Sequence, residues 1–442
     1  VVTDGLRRSL ASSTALLAAL AASACTVQHE GPASLESVLA RGATGHGGRP
    51  GASPIRHVVY VIQENRSFNY LFDGFPGAVS QDYGYDEHGN KIRLHAQSIA
   101  SHWDIDHSLK AFLTAYDKGK LDGWNEEYTC CGAGKNFAYA RAPRKETATY
   151  WSMASQYVLA DNLFQSNLDG SFVAHQYAIA AYANDEVDYP QRAWGCEDGP
   201  KNLVPTITAK RHVGHSVPVC EDYTTLGDEL DQASLDWRYY SYPYDEVSGL
   251  WSAYNAIDHI FNGPDYANVI TPSDRFLTDV ANGSLAAVTW ITPYASASDH
   301  AGLESRGGPD WVASVVDAVG QSPFWTSTAI FVVWDDWGGW YDPVAPPYRD
   351  EDGLGFRVPL IAISAYAKQG YVSHVQYETS SVLRFIEDDF GLTPLAASDA
   401  RAADPATDFF DYTQPPRAFV PFAYASRRPQ LRHVIRPEVP GD

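Results

Sequence analysis

Two hydrophobic rhythms alternate along most of the chain. Short runs rich in β-branched and aromatic residues occur at 57–62 (HVVYVI), 157–164 (YVLADNLF), 236–241 (DWRYYS), 286–292 (AAVTWIT), 328–333 (TAIFVV) and 358–364 (VPLIAIS). Continuous runs of this length predict strands covered on both faces. Between them, apolar residues recur at helical spacing over 108–118, 173–182, 225–232, 255–261, 309–319 and 376–390. Strand and helix alternate at βαβ length. The expected fold class is therefore α/β, a three-layer αβα sandwich around a mainly parallel sheet. Residues 76–103 read as loop, 185–222 as a long irregular insertion, and the Pro- and aromatic-rich tail from Ala403 as packing back on the body.

A parallel sheet gathers the carboxyl ends of its strands on one edge, where open α/β sheets bind ligands. Glu64, Asn65 and Arg66 follow the first run. Asn167, Gly170 and Ser171 follow the second, Asp299 and His300 the run at 286–292, and Asp335 and Asp336 the run at 328–333. Each has a plain structural reading: Glu64 pairing with Arg66, Asn65 or Ser171 capping a turn, Asp335 and Asp336 in a charged turn, His300 in a loop. Their convergence on one edge favours a site. Adjacent carboxylates at 335 and 336 repel unless a positive charge lies between them. With Glu64 and the neutral oxygen of Asn65 they make a donor set suited to one hard or borderline divalent metal ion. Ser171 follows a glycine at a strand–turn–helix corner, where the helix N-terminus offers N–H groups to a phosphoryl oxygen and a metal contact would activate the hydroxyl.

Composition narrows the partners. A 45% hydrophobic, 19% charged chain of 442 residues is globular. Its net charge of -22 argues against nucleic acid and against electrostatic docking on anionic lipid. Residues 1–24 read as an export signal, with Arg7-Arg8, an apolar stretch and Ala22-Ser23-Ala24 before Cys25. Export leads to the periplasm or the medium, or to the cell surface if Cys25 is acylated, a lipid anchor that would be the only membrane attachment. Residues 25–54 read as a flexible tether, and 55–442 as the catalytic domain. The remaining cysteines, 130, 131, 196 and 220, are even in number, which suits disulfides after export. Cys196 to Cys220 would close a surface loop, and the pairing of Cys130 and Cys131 stays open.

Seven stretches resemble the bacterial phospholipase C and acid phosphatase phosphoesterases of the alkaline-phosphatase-like superfamily. They are HVVYVIQENRSFNYLFDGFPG (57–77), DIDHSLKAFLTAYDKGKLDGW (104–124), LADNLFQSNLDGSFVAHQ (159–176), SDHAG (298–302), FVVWDDWGGWYDPVAPP (331–347), GFRVPLIAISAYAKQGYVSH (355–374) and SSVLRFIEDDFGL (380–392). ENRSF together with WDDWGGWYDPVAPP is the specific part. The resemblance implies a metal held by Glu64, Asn65, Asp335, Asp336 and Ser171, with Ser171 the nucleophile. His107 and His300 are implied to contact the phosphoryl group or protonate the leaving group. Arg66 is expected to hold Glu64. His175 and His259 are weaker candidates for second-layer or substrate contact, and His175 reads more readily as a core residue of an apolar helix. The chain departs from the family in having Asn69-Tyr70 where Asp and then His or Tyr are usual. Thr marks the nucleophile of the phospholipase branch and Ser that of the acid phosphatase branch, so DGSFVAHQ points to the latter. The expected function is an exported metal-dependent phosphoric ester hydrolase working through a phosphoserine, most like a phosphomonoesterase. The alternatives are a phospholipase C and, from another class, a non-catalytic glycan-binding protein that uses its many aromatic residues.

Overall fold

The structure is a computed structural model that describes residues 53–190, 192–243 and 250–424. The expected export signal, Cys25 and nearly all of the tether lie outside the described residues. The main sheet has eight strands, β1 His57–Gln63, β2 Val158–Ala160, β3 Trp237–Tyr240, β4 Val269–Ile270, β5 Val288–Ile291, β6 Thr328–Trp334, β7 Leu360–Ser364 and β8 Tyr371–Ser373, in the order β4-β3-β5-β1-β6-β7-β2-β8. All neighbours are parallel except at β7, which runs antiparallel to both β6 and β2. The helices that matter here are α1 Phe68–Phe72, α2 Leu109–Tyr116, α3 Ala148–Gln156, α4 Ser171–Ala180, α5 Leu226–Gln232, α6 Arg275–Ala281, α7 Gly308–Gly320 and α8 Ser381–Phe390. The three-layer α/β architecture is the one the alternation predicts.

β1 and β6 are the centre of the core. Every residue of β6, and all of β1 but His57, is buried, so both faces of the sheet are covered. Aromatic residues fill much of that cover. Trp124, Trp237, Trp251, Trp290, Trp334, Trp337 and Trp340 are among the largest fully buried side chains, so the tryptophans serve as core. α5 starts where the sequence says it should because Thr225 and Asp228 form a reciprocal capping box. α8 ends at Gly391, whose φ of +74° suits the left-handed C-cap.

The departures from the expected elements have physical causes. The run at 157–164 is two strands. The buried Asp161 breaks it by bonding His374 and the Val79 N–H, and Leu163–Phe164 then pairs with Tyr377–Glu378 in a separate ribbon. That same pairing takes residues 377–378 out of the predicted helix, so α8 begins only at Ser381. The helix expected at 255–261 is a 3₁₀ turn followed by one short turn at Asp258–Phe261. The insertion at 185–222 is less irregular than expected. It holds a hairpin, Leu203–Ile207 against Val213–Pro218, and the Cys196–Cys220 disulfide. The tail packs back through the buried Phe409, Phe410 and Phe422. No described helix is long and apolar enough to cross a membrane.

Candidate active site

The register of two neighbouring strands builds half of the site. Gln63 at the end of β1 pairs with Trp334 at the end of β6, so Glu64-Asn65 and Asp335-Asp336 leave the sheet side by side. Asp335 Oδ1 accepts the Asn65 N–H (2.9 Å) and the Asp336 N–H (2.7 Å), which locks the two turns together. Asn65 takes a φ of 55°, a left-handed conformation that Asn tolerates better than most residues. Gly338 is needed opposite it, because a Cβ there would sit 2.3 Å from the Asn65 carbonyl oxygen. β5, on the other flank of β1, delivers Asp299 and His300. Gln63 anchors their loop by accepting the Asp299 N–H (2.9 Å) and donating to the Ala297 carbonyl (2.8 Å).

α4 supplies the third side. Ser171 is its first residue and His175 lies one turn further on the same face. The Ser171 hydroxyl lies 3.0 Å from Asp336 Oδ2 and 3.4 Å from Glu64 Oε2. His175 Nε2 lies 3.1 Å from Glu64 Oε1 and 3.6 Å from Asp335 Oδ2. All of these side chains are buried. Burial alone would push the Asp335 carboxyl up; hydrogen bonds and charge from His175, a bond with Glu64 and the Asn65 N–H together hold it down at about 2.

The histidines divide into three kinds. His107 Nδ1–H donates to the Ile105 carbonyl (2.7 Å), so its Nε2 accepts from the Asn65 amide nitrogen at 2.9 Å. With that nitrogen committed, Oδ1 is the atom Asn65 would offer to an ion. His300 Nδ1–H donates to the Ala301 carbonyl, and its ring stacks on Trp251 and faces His107, with centroids 5.9 and 6.2 Å away. His175, which the sequence favours as a core residue, joins the carboxylates instead. His259 is not brought to the cluster: it is partly exposed and bridges Asp222 (2.6 Å) and Asp228 (2.8 Å). The Arg66 guanidinium, expected on Glu64, donates to the carbonyls of Asn65 and Ile99 and lies over Tyr70 and Trp340. It therefore fixes the main chain of the Asn65 turn. Asn69, the departure from the family pattern, is tied to the main chain of Gln81.

The sequence underweights Asp299. Its Oδ2 accepts from Tyr150 (2.8 Å) and Trp334 (3.0 Å). Burial pushes its carboxyl up to about 6 against the pull of Arg66, Tyr150 and Trp334. The signal was present, since Asp299 follows a strand on the same edge as the rest.

Glu64, His175 and Asp335 offer ligand atoms within 4.8 Å of one another. Asp335 Oδ2 is buried with no donor among the described residues inside hydrogen-bond range, the nearest being His175 Nε2 at 3.6 Å. Clustered buried carboxylates with one imidazole fit a divalent cation, and the donor set is mixed oxygen and nitrogen rather than thiolate.

Relatives of known name share this sequence at moderate identity. The chain is 26% identical over 448 residues to the non-hemolytic phospholipase C of Pseudomonas aeruginosa, covering 87% of this chain and 61% of that protein. It is 26% identical over 429 residues to the hemolytic phospholipase C of the same organism, covering 81% and 56%. It is 23% identical over 467 residues to phospholipase C B of Mycobacterium tuberculosis, covering 88% and 84%. The chain thus spans less than two thirds of the two Pseudomonas proteins. Among solved structures, a Vibrio parahaemolyticus protein of the alkaline phosphatase superfamily aligns over 81% of this chain and 75% of its own, with a TM-score of 0.38 and 10% identity. Residues 55–393 match the Phosphoesterase family, and the chain belongs to that family.

Proposed function

We propose that this phosphoesterase is an exported, metal-dependent phospholipase C-type hydrolase that works through a phosphoserine intermediate. The observation that carries the reading is Ser171, a hydroxyl at a helix N-terminus held between the carboxylates of Asp336 and Glu64. Glu64, Asn65, His175, Asp335 and Asp336 are the residues that would hold the metal, together with the Ser171 hydroxyl. Bound there, a divalent cation supplies Lewis-acid stabilisation of phosphoryl oxygens and lowers the pKa of a coordinated hydroxyl. Asp336 Oδ2, 3.0 Å from the Ser171 hydroxyl, is placed to take its proton as Oγ attacks phosphorus. The N–H groups at the start of α4 lie beside the attacking oxygen, where they can receive the equatorial oxygens. His107 and His300 both direct Nδ1–H to main-chain carbonyls. Protonated on Nε2, His300 becomes the acid for the leaving oxygen, while His107, whose Nε2 accepts from the Asn65 amide, holds that side chain in place. Water then releases the phosphorylated headgroup from Ser171, or inorganic phosphate when the substrate is a monoester.

The named relatives support the phosphodiester reading over the phosphomonoester reading that DGSFVAHQ suggested. The serine at 171 is the observation that keeps the monoesterase as the second reading. Specificity constants for p-nitrophenylphosphorylcholine, short-chain phosphatidylcholine and p-nitrophenyl phosphate, measured on one metal-loaded preparation, decide between them. A preference for the choline diesters is expected. A clear preference for the monoester would return the protein to the phosphatase branch, and no hydrolysis of any of the three would favour the glycan-binding alternative. The Cys196–Cys220 disulfide supports export. Intact mass of material from the native host tests whether the chain starts at Cys25 and whether that residue carries a diacylglyceryl group.

A further inference from the structure

A second oxygen-lined pocket lies behind the turn that carries Ser171. Asn167 and Asp169 from that turn, Glu186 from the start of the insertion and Asp352 from the loop between β6 and β7 line it, with Val173 and Ile207 as apolar walls. None of these residues belongs to the Glu64, His175 and Asp335 group. Asn167, Asp169 and Glu186 are 1%, 1% and 2% exposed. Asn167 Oδ1, Glu186 Oε1 and Asp352 Oδ1 are buried with no hydrogen-bond donor. The pocket is narrow, and no protein group among the described residues supplies the missing donors.

The other polar atoms nearby are already engaged. The Asn167 amide nitrogen donates to the Asp169 carbonyl at 2.9 Å. Asp352 Oδ2 accepts from the Tyr177 hydroxyl at 3.0 Å. One Asp169 oxygen accepts the Asp188 N–H. The arginines of this region are committed elsewhere: Arg211 to the carbonyls of Asp350, Glu351 and Gly353, and Arg401 to Asp350 and Glu378. Burial, then the charges of Glu221 and Asp169, push the Glu186 carboxyl well above its ordinary range. Burial, then Asp185 and Asp350, push Asp352 up to about 7. At neutral pH these acids either keep a proton or take up a cation.

We propose that this pocket is a binding site for a hard divalent cation, calcium by preference, held by Asn167 Oδ1, Glu186 Oε1 and Asp352 Oδ1 beside the Asp169 carboxylate. All donors are carboxylate or amide oxygens drawn from separate loops, the set that calcium accepts and that suits an extracellular module. The three carboxylates do not yet fall within the 4.8 Å that the Glu64 group spans. Asp352, the most exposed of them, is the side chain that swings in to close the site. The ion then ties the turn before Ser171 to the insertion and to the loop after β6, and it fixes the nucleophile's approach without touching the substrate.

The test uses the full chain carrying Asp335→Asn, which weakens the Glu64 site and leaves the second site to be read alone. After chelation, ~1 mM Ca²⁺ should raise its thermal midpoint by several degrees, as a site of extracellular affinity requires. Terbium should bind with luminescence excited through tyrosine, since Tyr177 touches Asp352. Adding Glu186→Gln, which keeps the shape and removes the charge, should weaken calcium binding by roughly tenfold or more. If that chain does not fold, Asp352→Asn at the partly exposed position gives the same readout. No calcium-dependent shift in the Asp335→Asn chain, or equal calcium affinity with and without the second substitution, overturns the proposal and leaves protonated carboxyls as the occupants of the pocket.

Discussion

Replacing His175 with alanine should destabilise the metal-stripped protein far more than the metal-loaded one. The imidazole lies 3.1 Å from Glu64 Oε1 and 3.6 Å from Asp335 Oδ2, with its side chain 2% exposed and both carboxylates fully buried. Without a cation, it is the group that faces both acids. The hydrogen bond to a charged partner is worth about 1.5–3 kcal/mol. Leaving its buried partner uncompensated brings the loss to about 3–5 kcal/mol. In a chain of this size a kilocalorie moves the melting temperature by about 1 °C, so the stripped variant should melt roughly 3–6 °C below stripped wild type. With a divalent ion loaded, the ion's charge takes over the compensation of Glu64 and Asp335, and the gap should shrink by more than half. The assay is circular dichroism melting of both proteins at pH 7, after chelation verified by elemental analysis and again after reloading. An equal loss in the two states, with elemental analysis showing the ion still bound to the loaded variant, would show that His175 contributes packing alone, and would refute the account of the cluster as a site where imidazole and metal share the neutralising role.

Ser171→Ala should keep the melting temperature within a few degrees and lower turnover by more than about a thousandfold, the scale seen when a covalent nucleophile is removed; wild-type-like turnover would sink the nucleophile assignment. Exhaustive chelation should abolish most activity, and Asp335→Asn should retain less metal by elemental analysis after dialysis. Full activity in verified metal-free protein would show that the cluster is not a catalytic metal centre. Glu387→Gln should flatten the decline of stability with rising pH. Burial, then the neighbouring Asp399, push the Glu387 carboxyl well above its ordinary 4.5, so the folded state holds a proton that the unfolded state releases. That contribution is complete below pH 4.5 and is lost as pH rises through the folded value. The variant has no proton to lose and should gain on wild type as pH rises above 4.5 in denaturant titrations; parallel pH profiles would refute the raised Glu387 carboxyl.

Much of the fold was legible because its signals are local. β1, β3, β5 and β6 are runs dominated by β-branched and aromatic residues, with Arg238 in β3 and Thr289 in β5 the polar interruptions. α5 carries its own capping box, and α7 and α2 show helical spacing within a few residues of their ends. The misread elements all depend on partners distant in sequence. β4 and β8 are short edge strands that exist because β3 and β2 offer them hydrogen bonds. The 157–164 run splits, and α8 starts late, because Leu163–Phe164 and Tyr377–Glu378 find each other. α3 and α6 went unread, as did the hairpin inside the insertion.

The candidate site divides along the same line. Residue type and position after a strand were enough to single out Glu64, Asn65, Ser171, His300, Asp335 and Asp336, because a parallel sheet puts such positions on one edge by construction. Sequence order also placed Asp299 and His175 in view, at a strand end and one turn beyond Ser171, yet it gave no means of weighing them. What only the tertiary structure decided is which side chains share a low-dielectric space. His175 faces Glu64 and Asp335 because the start of α4 packs across the ends of β1 and β6. His259 is spent between Asp222 and Asp228 at the surface, and Arg66 turns to main-chain carbonyls. Those outcomes rest on distances between strands and helices far apart along the chain, and charge interactions depend on that separation and on burial, which residue order does not carry.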